Sequence, residues 1–295
     1  MVHLIFYIVD VFAEEKYAGN QLAVVREAGN LSEPEMQKIA REMNYSETTF
    51  ILSEAERDGG YDVRIFTPRQ EVPFAGHPTL GTAYVIQREI VQQPVETITL
   101  NLKVGQIPVT FNYDQGQAGV LWMKQIAPAF GRTFQPGPVA QALSLDQSEI
   151  DDRFPIQEVS TGLPFIVAPL RTLEAVRRAQ IVEAKFLALA EGAQAKAILI
   201  FCPETYHPQN QLNARVFAGL YGVPEDPATG SANGCLAGYL AKTRYFGAQG
   251  VEVRVEQGYE IGRPSLLYLK AEDREDEFDI FVGGRVVMVA RGEFV

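Results

Sequence analysis

Apolar and polar positions alternate along most of this chain, with the period-two rhythm of strands that bury one face. Such runs occur at 96–102, 106–111 and 119–124, and again at 251–256, 264–271, 278–282 and 285–290. The opening Met1-Val2-His3-Leu4-Ile5-Phe6 reads as a further strand: it lacks a basic flank and a small-residue cleavage site, and it meets Asp10 almost at once. Four segments read as helices instead, two by apolar spacing and two as runs of good helix formers. Residues 32–43 open with a capping Ser32 and carry Pro34 in the first turn, and they lead into the strand-like 48–52. Residues 182–191 lead in the same way into 197–201. The other two, 80–88 and 232–242, each follow a glycine-rich segment and precede a run of strands. The segment 126–138, with three prolines and two glycines, reads as a linker. The pattern predicts an α+β protein of two similar halves, 1–125 and 126–284, each a barrel-like sheet around a central helix, with 285–295 crossing back to complete the first half.

The two halves resemble each other in sequence. Arg64-Ile65-Phe66 followed by His77-Pro78-Thr79-Leu80-Gly81-Thr82-Ala83 has a counterpart in Arg215-Val216-Phe217 followed by Asp226-Pro227-Ala228-Thr229-Gly230-Ser231-Ala232. The shared frame is a polar residue, Pro, two residues, Gly, a hydroxyl residue and Ala. It predicts a proline at the first position of each helix and a start with exposed backbone N–H groups, an arrangement that holds anions. Two such ends meeting in a cleft between the halves would suit one small carboxylate-bearing molecule. Well-capped core helices would account for either segment alone, but His77 and Asp226 at the same position of the frame are more than capping requires.

Glu47 is the third piece. In Met43-Asn44-Tyr45-Ser46-Glu47-Thr48-Thr49-Phe50 it opens a strongly apolar strand, where partial burial would raise its pKa into the range of a general acid/base. A solvated edge carboxylate is the bland alternative.

Composition narrows the partners. The formal net charge of −11 is dispersed, densest at 272–277, and no Lys/Arg-rich block exists to meet nucleic acid. No apolar run approaches the ~20 residues of a membrane helix, so a cytoplasmic protein is expected. Cys202 and Cys235 stand far apart without metal-ligand spacing, and both read as buried small hydrophobes.

Taken together, the segments Val9-Asp10-Val11-Phe12, Gly19-Asn20-Gln21-Leu22-Ala23-Val24, Asn44-Tyr45-Ser46-Glu47-Thr48, Arg64-Ile65-Phe66-Thr67-Pro68, Phe74-Ala75-Gly76-His77-Pro78-Thr79 and Glu225 to Ala232 resemble the PhzF-like phenazine biosynthesis isomerase family, in order and over nearly the whole chain. The resemblance implies the fold shared with diaminopimelate epimerase and proline racemase. It matches the family's catalytic glutamate to Glu47, and its histidine, aspartate and serine to His77, Asp226 and Ser231. Substrate contacts are implied near Ser46, Gly76 and Gly230. It implies a cofactor-independent isomerase that needs no metal, moves a carbon-bound proton on a small carboxylate substrate, and forms a homodimer. The epimerase and racemase branch uses two facing cysteines, and the matching helix starts here carry none, which disfavours two-thiol racemisation. A racemase or epimerase of an amino or hydroxy acid and a non-catalytic small-molecule binding protein stay open as alternatives.

Overall fold

The computed structural model describes residues 4–274 and 277–295. His3, and Glu275 and Asp276 of the acidic stretch, lie outside the described residues. The chain begins with β1 (Leu4–Val11), β2 (Asn20–Val25), α1 (Glu33–Met43), β3 (Glu47–Ile51), β4 (Tyr61–Phe66) and β5 (Glu71–Val72). It continues through α2 (Gly76–Val85), β6 (Thr97–Leu102), β7 (Gly105–Asp114), β8 (Gln117–Gln125), β9 (Ala129–Phe134), α3 (Pro136–Ala142), β10 (Ile156–Ser160) and β11 (Pro164–Pro169). Then come α4 (Leu173–Arg178), α5 (Glu183–Ala190), β12 (Ile198–Cys202), β13 (Leu212–Ala218), β14 (Val223–Asp226) and α6 (Gly230–Lys242). The last strands are β15 (Gly250–Gln257), β16 (Ser265–Arg274), β17 (Glu277–Gly284) and β18 (Val286–Phe294).

These elements divide into two compact units, Met1–Lys124 with Gly283–Val295, and Gln125–Val282. In the first, β1 pairs antiparallel with β2, β2 parallel with β3, β3 antiparallel with β4, and β4 antiparallel with β5. The start of β4 runs parallel to β6, which pairs antiparallel with β7. The second unit repeats that pattern strand for strand: β10–β11 antiparallel, β11–β12 parallel, β12–β13 and β13–β14 antiparallel, β13–β15 parallel and β15–β16 antiparallel. β18, from the end of the chain, pairs with β1, and β9 pairs with β10.

Each unit wraps its strands around one helix. Every residue of α2 after Gly76 is buried, and the helix packs against β1, β2, β3, β6, β7 and β18. A helix buried on all sides is the core of its unit, and its polar side chains need partners within it, as Thr82 finds in Thr49. It also needs small residues: a Cβ on Gly81 would lie 2.6 Å from Leu22 Cδ2 and 2.9 Å from Val11 Cγ2, so only glycine lets α2 approach β1 and β2 this closely. In the second unit α6 is buried from Ala232 to Ala241 and packs against β10, β11, β15 and β16. By contrast α1 is amphipathic. Its capping box is formed, with the Glu35 carboxylate accepting from the Ser32 backbone N–H at 2.8 Å, and it ends at Asn44 in the left-handed region.

Two expectations need correcting. The segment 126–138 is not a linker: its centre is β9, in antiparallel register with β10, and Pro136 opens α3. All three prolines flank the strand and spare its ladder, which is why their density misled. The proline frame is also out of register with the helices. Pro78 is the third residue of α2, and Pro227 lies between β14 and α6, outside any helix. Within the first turn no N–H is needed for an intrahelical bond, so proline is tolerated at several positions there. The helix starts pair Gly76-His77 with Gly230-Ser231, so His77 corresponds to Ser231, not to Asp226. The Arg-x-Phe match is structural: Arg64 and Arg215 lie on the topologically equivalent β4 and β13.

Candidate active site

In the first unit the parallel pairing of β2 with β3 sets Leu22 opposite Glu47. Glu47 is the first residue of β3, half-buried, with Ser46 half-buried in the bend before it. Thr49 Oγ1 and Thr82 Oγ1 share a buried 2.7 Å hydrogen bond that ties β3 to α2, two residues along from Glu47. Gly76 and His77 form the start of α2, and the His77 Nε2 comes to 3.5 Å from Glu47 Oε2. This unit therefore gathers Ser46, Glu47, Gly76 and His77.

The protonation of His77 follows from its surroundings. Burial pushes its pKa down to about 3, against a hydrogen bond to the Gln21 backbone that favours the charged form. The ring is neutral at physiological pH. Nε2 has no hydrogen-bond partner, so the bond to the Gln21 carbonyl is donated by Nδ1, and Nε2 turns a lone pair toward Glu47. A proton between these two side chains has to come from the carboxyl or from a bound molecule.

In the second unit Asp226 ends β14 and Gly230 and Ser231 begin α6, with Thr229 as the extended N-cap residue. The Thr229 hydroxyl does not cap the helix. It donates to Asp226 Oδ2 at 2.5 Å, so the first backbone N–H groups of α6 receive no bond from the N-cap side chain. Asp226 follows Glu225, whose carboxylate receives both the Nε and Nη2 of Arg215, at 2.9 and 2.8 Å. The same fork recurs in the first unit, where Arg64 binds Glu71 at 2.8 and 2.6 Å.

Neither cysteine is suited to acid/base work. Cys202 and Cys235 are free and buried, and desolvation pushes their thiols up to about 12 and about 11. Cys235 is one turn past Ser231 and bonds Thr161 and the Leu163 carbonyl at 3.6 Å. Sequence reasoning missed Gln21, Thr229, Arg215–Glu225 as a pair, and Gln257, which is fully buried at the end of β15. The signal for Gln257 was present: Val251, Val253 and Val255 alternate, and then two polar residues, Glu256 and Gln257, occupy consecutive buried positions.

The description "phenazine biosynthesis-like protein" covers the family whose profile matches residues 9–292. The chain belongs to this family. A trans-2,3-dihydro-3-hydroxyanthranilate isomerase of Pseudomonas aeruginosa is 36% identical over 267 residues, 90% of each chain. The PhzF-family phenazine biosynthesis protein of Bacillus anthracis is similar over 100% of both chains, with a TM-score of 0.91 at 27% identity. A hydroxyproline epimerase from Agrobacterium vitis, solved with trans-4-hydroxy-L-proline, has a TM-score of 0.63 at 10% identity, covering 100% of this chain and 91% of its own; that likeness is one of fold. The PhzF fold, which the hydroxyproline epimerase resembles, is thus the α+β architecture expected from the sequence, and the protein is an isomerase. No helix among the described residues is long and apolar enough to cross a membrane.

Proposed function

We propose that this PhzF-family protein is a cofactor-independent isomerase in which Glu47 takes a proton from one carbon of a small carboxylate-bearing, cyclic substrate and returns it to another. The observation that carries this reading is the 3.5 Å approach of Glu47 Oε2 to a neutral His77. A neutral acceptor beside the carboxyl accommodates it with its proton and leaves it able to give that proton up, as a group working in both directions needs. His77 and Asp226 orient the substrate or relay protons. Backbone groups at Gly76 and Gly230, with Ser231 and Ser46, hold the substrate carboxylate and stabilise the enolate-like charge that develops as the carbon-bound proton leaves. Inversion at a single carbon would need a second proton carrier, and the buried thiols are poor candidates for that part. Assembly as a homodimer and a cytoplasmic location belong to the same proposal.

The test uses trans-2,3-dihydro-3-hydroxyanthranilate, the compound in the relative's name, as a probe in heavy water. Wild type is expected to convert it with incorporation of solvent deuterium, and Glu47→Gln to bind it without exchange. Exchange persisting in Glu47→Gln would remove Glu47 from the mechanism.

A further inference from the structure

Gln257 lies in no segment that carries the family resemblance, yet its side chain is wholly buried and has polar partners on both sides of its amide. Its Nε2 donates to the Asp226 carbonyl at 2.8 Å and to Thr229 Oγ1 at 3.1 Å. Its Oε1 accepts from the Thr229 backbone N–H at 3.3 Å and from Asn233 Nδ2 at 2.9 Å. Asn233 Nδ2 also donates to the Thr229 carbonyl at 3.0 Å, so both of its protons are committed. The Gln257 amide can be oriented only one way: a flip would turn its oxygen to the Asp226 carbonyl and its nitrogen to two donors.

That orientation fixes the next bond. Thr229 Oγ1 already accepts a proton from Gln257, so its own hydroxyl proton goes to Asp226 Oδ2, 2.5 Å away. The direction of the relay, from amide to hydroxyl to carboxylate, is set by Gln257. The backbone is moulded to match. Gly258 has φ +79°, and a Cβ there would lie 2.6 Å from the Pro227 carbonyl oxygen and 2.4 Å from that of Arg263. The end of β15 thus closes against the Asp226–Thr229 turn with no room for a side chain, while Arg215 grips Glu225 on the other side.

We infer that Gln257 and Thr229 are positioning residues which, as one directed relay, hold the Asp226 carboxylate in its rotamer at the start of α6. The inference rests on reading Asp226 as a substrate-facing group. A merely structural Gln257 would support the turn without the Thr229 hydroxyl mattering to turnover.

Thr229→Val, Thr229→Ser, Gln257→Glu and the Thr229→Val/Gln257→Glu pair are compared with wild type on the dihydro-hydroxyanthranilate probe, together with crystal structures of the substrate-free variants. Gln257→Glu keeps both acceptor bonds and replaces the two amide N–H donors with at most one O–H, so it cannot serve the Asp226 carbonyl and Thr229 Oγ1 together. Thr229→Val and Gln257→Glu are each expected to lower kcat about tenfold or more with KM within about twofold. Thr229→Ser is expected to keep most of the activity, and the double variant to be no worse than the poorer single one, because both act through one chain of bonds. The crystal structures are expected to show Asp226 rotated away in Thr229→Val and in place in Thr229→Ser. Unchanged kcat in folded Thr229→Val, equal loss in Thr229→Ser, or additive losses in the double variant would overturn the relay. If wild type does not turn over the probe, the functional reading fails by itself, and an Asp226 left unmoved in the Thr229→Val crystals overturns the relay without any reference to activity.

Discussion

His77 Nε2 lies 3.5 Å from Glu47 Oε2 while the opposite edge of the same ring is bonded to the Gln21 backbone, so one imidazole joins β2 to the carboxyl that opens β3. Burial keeps that ring neutral.

The same burial couples His77 to stability. Its folded pKa, about 3, lies below the ordinary 6.5, so the folded state resists the proton that the unfolded chain accepts. The stability contributed by the neutral ring is fully present above the ordinary value and is lost as pH falls from there toward about 3. Thermal denaturation of wild type is expected to shift downward across this window, and His77→Gln, which cannot titrate, to show a shallower fall. Parallel Tm profiles for the two proteins would mean that the ring is not held neutral.

Thr49 and Thr82 test what ties β3 to the central helix. Their hydroxyls satisfy one another in a buried 2.7 Å bond. Thr49→Val leaves a buried hydroxyl on Thr82 without that partner, at a cost of about 1–3 kcal/mol, whereas Thr49→Val/Thr82→Val removes both polar groups and should lie closer to wild type. Urea midpoints of the two single variants and the pair give the answer. Additive destabilisation would show that the bond itself is not the link.

The two arginine forks should differ in worth. Arg215 and Glu225 have side chains only 8% and 12% exposed, and Arg215 Nη1 also donates to the Val176 and Ala179 carbonyls. Arg215→Ala leaves a nearly buried carboxylate next to Asp226 and is expected to cost about 3–5 kcal/mol. Arg64 is 23% exposed, and its partner Glu71 keeps Lys103, so Arg64→Ala should cost about 1–2 kcal/mol. Thermal unfolding of both variants tests the ranking, and equal losses would contradict it.

Alternation located most strands, and runs of good helix formers after the glycine-rich segments located the two central helices, within a few residues of where they form, because half-buried strands write their period directly into the chain while a helix buried all round shows only in its residue preferences. β9 was hidden for a physical reason: it is largely exposed apart from Phe134, and so carries little alternation between its flanking prolines. The proline frame misaligned the repeat because the local chemistry of Pro, Gly and a hydroxyl residue suits both a turn before a helix, as at Pro227, and the first turn itself, as at Pro78. Arg64 and Arg215 were visible as matching letters, but their partners Glu71 and Glu225 sit seven and ten residues on, at offsets that only the β4–β5 and β13–β14 pairings explain.

By itself the sequence determined the fold class, the duplication and the residue types gathered at the two helix starts, since period, composition and motif order are properties of the linear chain. Tertiary structure decided that His77 is neutral, which way the Gln257 amide points and hence that the Thr229 hydroxyl faces Asp226. Those outcomes depend on desolvation and on hydrogen-bond partners from strands distant in sequence, and neither quantity exists until the chain has closed around them.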